Sequence, residues 1–167
     1  NTITLSGSGN VTQSAAITAT NLLLLGSGSF TLSNTSNAIG TLAASGVSGL
    51  TYLDKDALTI GTVGTTDGVS ATGVISIGTN TGDLTIAQNV ATTNTTSAAL
   101  VLNAGINAVA GTSSGGNIII SGSPTISVGS GGIAKLYTGS VSGSTGLVGI
   151  TGLISGSGRF RYNSDES

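Results

Sequence analysis

An all-β chain wound as a parallel β-helix is the fold that this 167-residue sequence predicts. Three observations carry the prediction. The composition is poor in charge and rich in small residues, short aliphatic triplets alternate as strands do, and those triplets recur at a near-regular interval.

Charged residues make up 6% of the chain, against roughly 25% in an ordinary soluble domain. There are 28 glycines and only five aromatic residues, and hydrophobic residues reach 38%. Disordered linkers combine low hydrophobicity with high net charge. Here mean hydropathy is +0.40 and the net charge is −2, so a folded chain is expected. Helices are disfavoured, because Gly, Ser, Thr and Asn crowd every window.

The strand signals come in chain order. Ile3-Thr4-Leu5 opens the series, followed by Leu22-Leu23-Leu24-Leu25, Phe30-Thr31-Leu32 and the segment around Leu42. Next come Leu50-Thr51-Tyr52, Leu58-Thr59-Ile60, Ile75-Ser76-Ile77 and Leu84-Thr85-Ile86. Leu100-Val101-Leu102, Ile118-Ile119-Ile120, Ile126-Ser127-Val128 and the region of Leu136 complete it. In a strand, residues i and i+2 face the same side, so each triplet offers two aliphatic side chains to one face. Gly, Ser, Asn and Thr bound the triplets and supply turns.

Leu5, Leu24, Leu42, Ile60, Ile77, Leu102, Ile120 and Leu136 serve as markers, one per cluster. Their spacing is nearly constant except for one longer step, between Ile77 and Leu102. The common period, roughly 18 residues, is too short for helical-pair repeats. It predicts eight or nine coils of two or three short strands, a rod on the order of 40 Å long at the usual strand spacing. The long step predicts an insertion in Asn89–Ala98, with Ala91–Thr96 as a loop. No capping repeat is visible at Asn1–Leu5. Solenoids normally protect their end strands, so the expectation is a piece of a longer rod, or a subunit that stacks end to end.

The composition also excludes chemistry. The chain has no Cys, His, Met or Trp. Disulfide frameworks are out, and transition metals lack their usual ligands. A serine nucleophile lacks its histidine base, and the Gly-Ser-Gly runs at 7, 26 and 156 are turns rather than phosphate loops. The acidic pair inside the solenoid, Asp54 and Asp56 about Lys55, reads as a solvated turn after Tyr52; a calcium or catalytic carboxylate pair is the alternative. Four basic residues give no nucleic-acid surface, and Leu22–Leu25 is far shorter than the roughly 20 apolar residues of a membrane span. Neither an enzyme nor a bound cofactor is expected.

Ile39-Gly40-Thr41-Leu42-Ala43-Ala44, Gly49-Leu50-Thr51-Tyr52 and Asp56-Ala57-Leu58-Thr59-Ile60-Gly61-Thr62-Val63 resemble repeats of giant filamentous-haemagglutinin-like bacterial proteins, as does Gly82-Asp83-Leu84-Thr85-Ile86. The ending from Gly158 to Glu166 resembles a junction that precedes an immunoglobulin-like module in such proteins. The resemblance implies a right-handed parallel β-helix, export to the cell surface or medium, and roles in adhesion, biofilm or filaments. It brings no catalytic residues.

Residues 159–167 stand apart from the 1–158 repeat region, holding four of the ten charged residues and two of the five aromatics. They read as a module junction or linker. Their candidate interaction residues are Arg159, Phe160, Arg161 and Tyr162, alternating as one charged and one aromatic face. The functional expectation is an extracellular or cell-surface scaffold whose partners are further copies of itself, adjoining modules of the same polypeptide, or surface glycans. The rival is a solenoid binding module. For glycans Tyr52 and Tyr137 are its candidates; for ice, Thr18-Ala19-Thr20, Thr79-Asn80-Thr81 and Thr93-Asn94-Thr95.

Overall fold

A computed structural model describes residues 1–109, 111–112, 114–140 and 142–147, and the backbone of Phe160–Asn163. The chain is a parallel β-solenoid. Its first winding is β1 (Thr2–Ser6) and β2 (Asn10–Thr12), its second β3 (Thr18–Leu25) and β4 (Ser29–Leu32), its third β5 (Ala38–Val47) and β6 (Gly49–Asp54). The fourth holds β7 (Leu58–Ile60), β8 (Thr62–Val63), β9 (Thr66–Asp67), β10 (Val69–Ala71) and β11 (Ile75–Thr79). The fifth holds β12 (Leu84–Ile86), β13 (Val90–Thr92) and β14 (Leu100–Asn103); the sixth β15 (Ile118–Ile120), β16 (Ile126–Ser127) and β17 (Ala134–Tyr137). β18 (Phe160–Asn163) then pairs with β17.

Two stacked sheets result, one of nine strands and one of seven. Strands of successive windings pair in parallel throughout; the β8–β9 hairpin is antiparallel. In the seven-stranded sheet Val11, Phe30, Leu50, Ile75, Leu100 and Ala134 stack on one another, each at the same place in its own winding. The interval between these neighbours is not constant, shortest from Val11 to Phe30 and longest from Leu100 to Ala134. From β2 to β17 the chain makes about five turns. The windings are therefore fewer and longer than the eight or nine that the marker spacing predicts.

They lengthen because the first sheet divides. The ten-residue β5 pairs through Thr41 and Leu42 with β7, and through Ala44 and Val47 with β10, with a register shift in the latter pairing. The β8–β9 hairpin is inserted between β7 and β10 and packs on β5 and β3, with Val63 buried beneath it. Its neck is closed by the Gly68 amide donating to the Gly61 carbonyl at 2.9 Å. Gly68 has a φ of +66°, and a β-carbon there would collide with the Asn89 carbonyl oxygen. Only glycine fits both demands.

Inside, the triplets stack as expected. One column runs Ile3, Leu22, Leu42, Ile60, Ile86 and Ile120; another runs Leu5, Leu24, Ala44, Val69, Val90 and Ile126. On the opposite wall Leu32, Tyr52, Ile77, Leu102 and Leu136 form a third. From Leu22 to Ile86 the first column is fully buried. Ile3, Leu5 and Val11, in the first winding, are half-exposed, having a neighbour on one side only. The eight markers thus belong to three different columns, which is why their spacing overstated the number of turns.

The expected loop at Ala91–Thr96 is corrected in part. Val90–Thr92 is β13, stacked between β10 and β16, and the loop proper starts at Thr93. A larger insertion, from Ala104 to Asn117, separates β14 from β15.

Candidate functional site

Polar chemistry concentrates at the corner where the chain leaves the seven-stranded sheet for the nine-stranded one. β6 ends there with Tyr52 and Asp54, two positions apart and so on the same inward side. The Tyr52 hydroxyl donates to Asp54 Oδ2 at 2.8 Å, the Ile39 amide donates to the same oxygen at 3.0 Å, and the Asp56 amide donates to Oδ1 at 3.0 Å. Both side chains are buried. One winding earlier Asn37 does the same work: its Nδ2 donates to the Leu32 and Leu53 carbonyls, and its Oδ1 accepts from the Ile17 amide and Gln13 Nε2. One winding later Thr79 accepts from the Gly105 amide at 2.8 Å and donates to the Gly82 carbonyl. The corner bends away from the strand ladder, so its backbone groups need side-chain partners, and short polar residues supply them.

Burial raises the Asp54 carboxyl above the ordinary aspartate range, and the nearby Asp56 charge adds to this, while the Ile39, Asp56 and Tyr52 donors pull the other way. Burial likewise pushes the Tyr52 phenol far up, reinforced by its bond to Asp54. Tyr52 is therefore a neutral donor, not a nucleophile or a base. The solvated turn expected at Asp54–Asp56 holds for one residue only. Asp56 lies out in water, its carboxylate 3.8 Å from the Lys55 ammonium, while Asp54 is 1% exposed and turned inward. The two carboxylates do not share a face that could hold calcium or a sugar. Among the described residues no group of three His, Cys, Asp or Glu side chains is placed to hold a metal ion, and no helix is long and apolar enough to cross a membrane.

Of the expected interaction residues, Phe160, Arg161 and Tyr162 lie in β18. Their backbone registers against Ala134, Lys135 and Leu136 of β17, which gives the seven-stranded sheet its last strand. Arg159 lies outside the described residues. Tyr52 is not a surface aromatic, and Tyr137 is half-buried on β17. The Thr-x-Thr segments are scattered: Thr18 and Thr20 are exposed on β3, Thr79 is buried, and Thr93 and Thr95 sit in the loop after β13.

Register instead builds hydroxyl columns that no local motif reveals. On the outside of the seven-stranded sheet Thr12, Thr31, Thr51 and Ser76 align through four windings; on the nine-stranded sheet Thr41, Thr59 and Thr85 align. In the sequence the signal is the hydroxyl middle residue of triplets such as Phe30-Thr31-Leu32 and Leu58-Thr59-Ile60, but pairing it requires the true winding lengths. Beside the first column a shallow depression of about 150 Å³ is lined by Thr51, Leu53, Ser76, Gly78, Val101 and Ile106. Tyr52 and Asn103 also border it, and it carries no carboxylate or basic group. Comparison with protein-family models, curated proteins and solved structures gives no match for this chain.

Proposed function

We propose that this chain is a non-catalytic scaffold: a stiff segment of an extracellular or cell-surface protein of the filamentous-haemagglutinin-like kind. It holds distance and presents a surface for adhesion, biofilm or filament building. The observation that carries this reading is the continuity of the inward columns, with one Leu or Ile from every winding in the column from Ile3 to Ile120. Stability spread over equivalent windings resists bending along the whole rod. A site built for catalysis needs convergent polar groups with matched pKa values, whereas the buried polar groups here serve the backbone of a corner.

In this reading the partners are adjoining modules of the same polypeptide or further copies stacked end to end. Negative-stain electron microscopy of the purified chain tests it. Rods, singly or joined into filaments, are expected; compact globules without axial character would overturn it. Surface labelling of intact source cells tests the location. A second reading, a binding module for glycans or ice, is favoured by the hydroxyl columns, because regularly spaced Thr and Ser on a flat face can match a repeating ligand. Glycan-array binding or thermal hysteresis by the isolated chain would select it.

A further inference from the structure

The fourth winding carries a cluster that neither the core nor the scaffold reading uses. In the β8–β9 hairpin Thr62 and Asp67 are directly opposed, and the Thr62 hydroxyl donates to Asp67 Oδ1 at 2.6 Å. Gln88, in the turn between β12 and β13 of the next winding, donates from Nε2 to Thr62 Oγ1 at 3.2 Å. Both sides of this contact are held from behind. Val63 anchors the hairpin in the protein, and the Ala87 amide donates to the Ile60 carbonyl at 2.9 Å, fixing the turn that bears Gln88. A hydroxyl nucleophile, a carboxylate bonded to its proton and a carboxamide thus meet at one oxygen atom.

We propose that Thr62 and Gln88 form an intramolecular ester cross-link between neighbouring windings, with Asp67 as the base. Asp67 takes the proton as Thr62 Oγ1 attacks the Gln88 side-chain carbonyl carbon and the new C–O bond forms. The C–N bond of the amide then breaks, and the proton passes from Asp67 to the departing nitrogen. The balance is one hydroxyl and one primary amide giving one ester and one ammonia, with Asp67 restored and no oxidant, reductant or further reactant consumed. Two features favour the step. The carboxamide nitrogen already lies 3.2 Å from the Thr62 hydroxyl oxygen, so little encounter entropy remains to be lost. Thr62 and Asp67 are exposed, so ammonia escapes into solvent and is protonated there, which draws the exchange toward the ester. The product ties the hairpin of the fourth winding to the fifth, on the outside of the solenoid and beside the Ala87–Ile60 backbone bond.

The test is intact-mass spectrometry of the purified chain after prolonged incubation at neutral pH. The expected mass is lower than the sequence mass by one ammonia, with the loss in the tryptic peptide from Asp56 to Lys135 and no backbone fragments released between Thr62 and Gln88. Brief alkaline treatment in ¹⁸O-water should open the ester and leave a labelled Glu at position 88. Thr62→Val and Gln88→Leu should each keep the full mass, and Asp67→Ala should slow the loss at least tenfold. All three positions lie at the surface or in a turn, and circular dichroism of each variant checks that the solenoid persists. The full sequence mass after incubation overturns the proposal. So does an ammonia loss that survives in Thr62→Val, which would mark cyclisation at an asparagine instead.

Discussion

Leu42→Ala is the sharpest probe of the inward columns. Leu42 is fully buried, stacked between Leu22 and Ile60, at the point where β5 begins to divide between β7 and β10. The substitution removes three carbon atoms, worth about 2–2.5 kcal/mol in transfer free energy at about 0.8 kcal/mol per buried methylene. A cavity term is added, because strand spacing is fixed by the parallel hydrogen-bond ladder and the neighbouring windings cannot close over the gap. The total expected is about 3–5 kcal/mol. Thr59→Ala, one winding on but facing outward, should fall within about 0.5 kcal/mol of the parent. Urea denaturation followed by far-ultraviolet circular dichroism measures both. The loss of Leu42 also weakens one interface of a quasi-linear array, so hydrogen exchange should rise most in β3, β5 and β7. Equal effects from the two substitutions, or a Leu42→Ala change below about 1 kcal/mol, would refute the tube of inward ladders.

Two further outcomes are expected. Gly68→Ala should cost about 1–3 kcal/mol by forcing a left-handed backbone on an L-residue, with added cost from the collision with Asn89, seen as a lowered Tm and faster exchange in β8–β10. Asp54 sets a pH dependence with a definite sign. Its folded-state pKa lies above its ordinary value of 3.8, so the folded chain holds the proton more tightly than the unfolded one. The stabilisation is complete below the ordinary aspartate pKa and is lost as pH rises through the raised folded value. Denaturation midpoints should therefore fall, not climb, from acid toward neutral pH, and Asp54→Asn should flatten that part of the profile. An acid-unfolding transition near the ordinary carboxylate range would contradict this.

The corner explains why Asp54 tolerates its position. A carboxyl group removed from water is costly unless its oxygens are bonded, and here two amides and a phenol meet it. The same economy appears at Asn37 and Thr79, each satisfying main-chain groups where the ladder turns. These residues resemble a site in being polar, buried and clustered. Their partners are backbone atoms of adjoining windings, so the chemistry they perform is holding the bend.

Fold class and the inward-facing residues were legible in the amino acids alone. Side-chain alternation has a period of two wherever a strand forms, so Leu58-Thr59-Ile60 or Ile75-Ser76-Ile77 declares its buried face locally. Leu24, Leu42, Ile60, Ile77, Leu102 and Leu136 are all buried. Winding length emerged only in three dimensions. Adding residues at a corner costs little loop entropy, so a hairpin at 62–67 or the excursion from Ala104 to Asn117 can enter a turn without disturbing the columns on either side. For the same reason Val90–Thr92 reads as loop by sequence alone, and it is a strand because β10 and β16 flank it. The hydroxyl columns, the inward turn of Asp54 and the meeting of Thr62 with Gln88 all depend on which residue lies one winding away. That separation along the chain varies from winding to winding, so no single period predicts it. Local pattern fixes the direction of a side chain; only register fixes its neighbour.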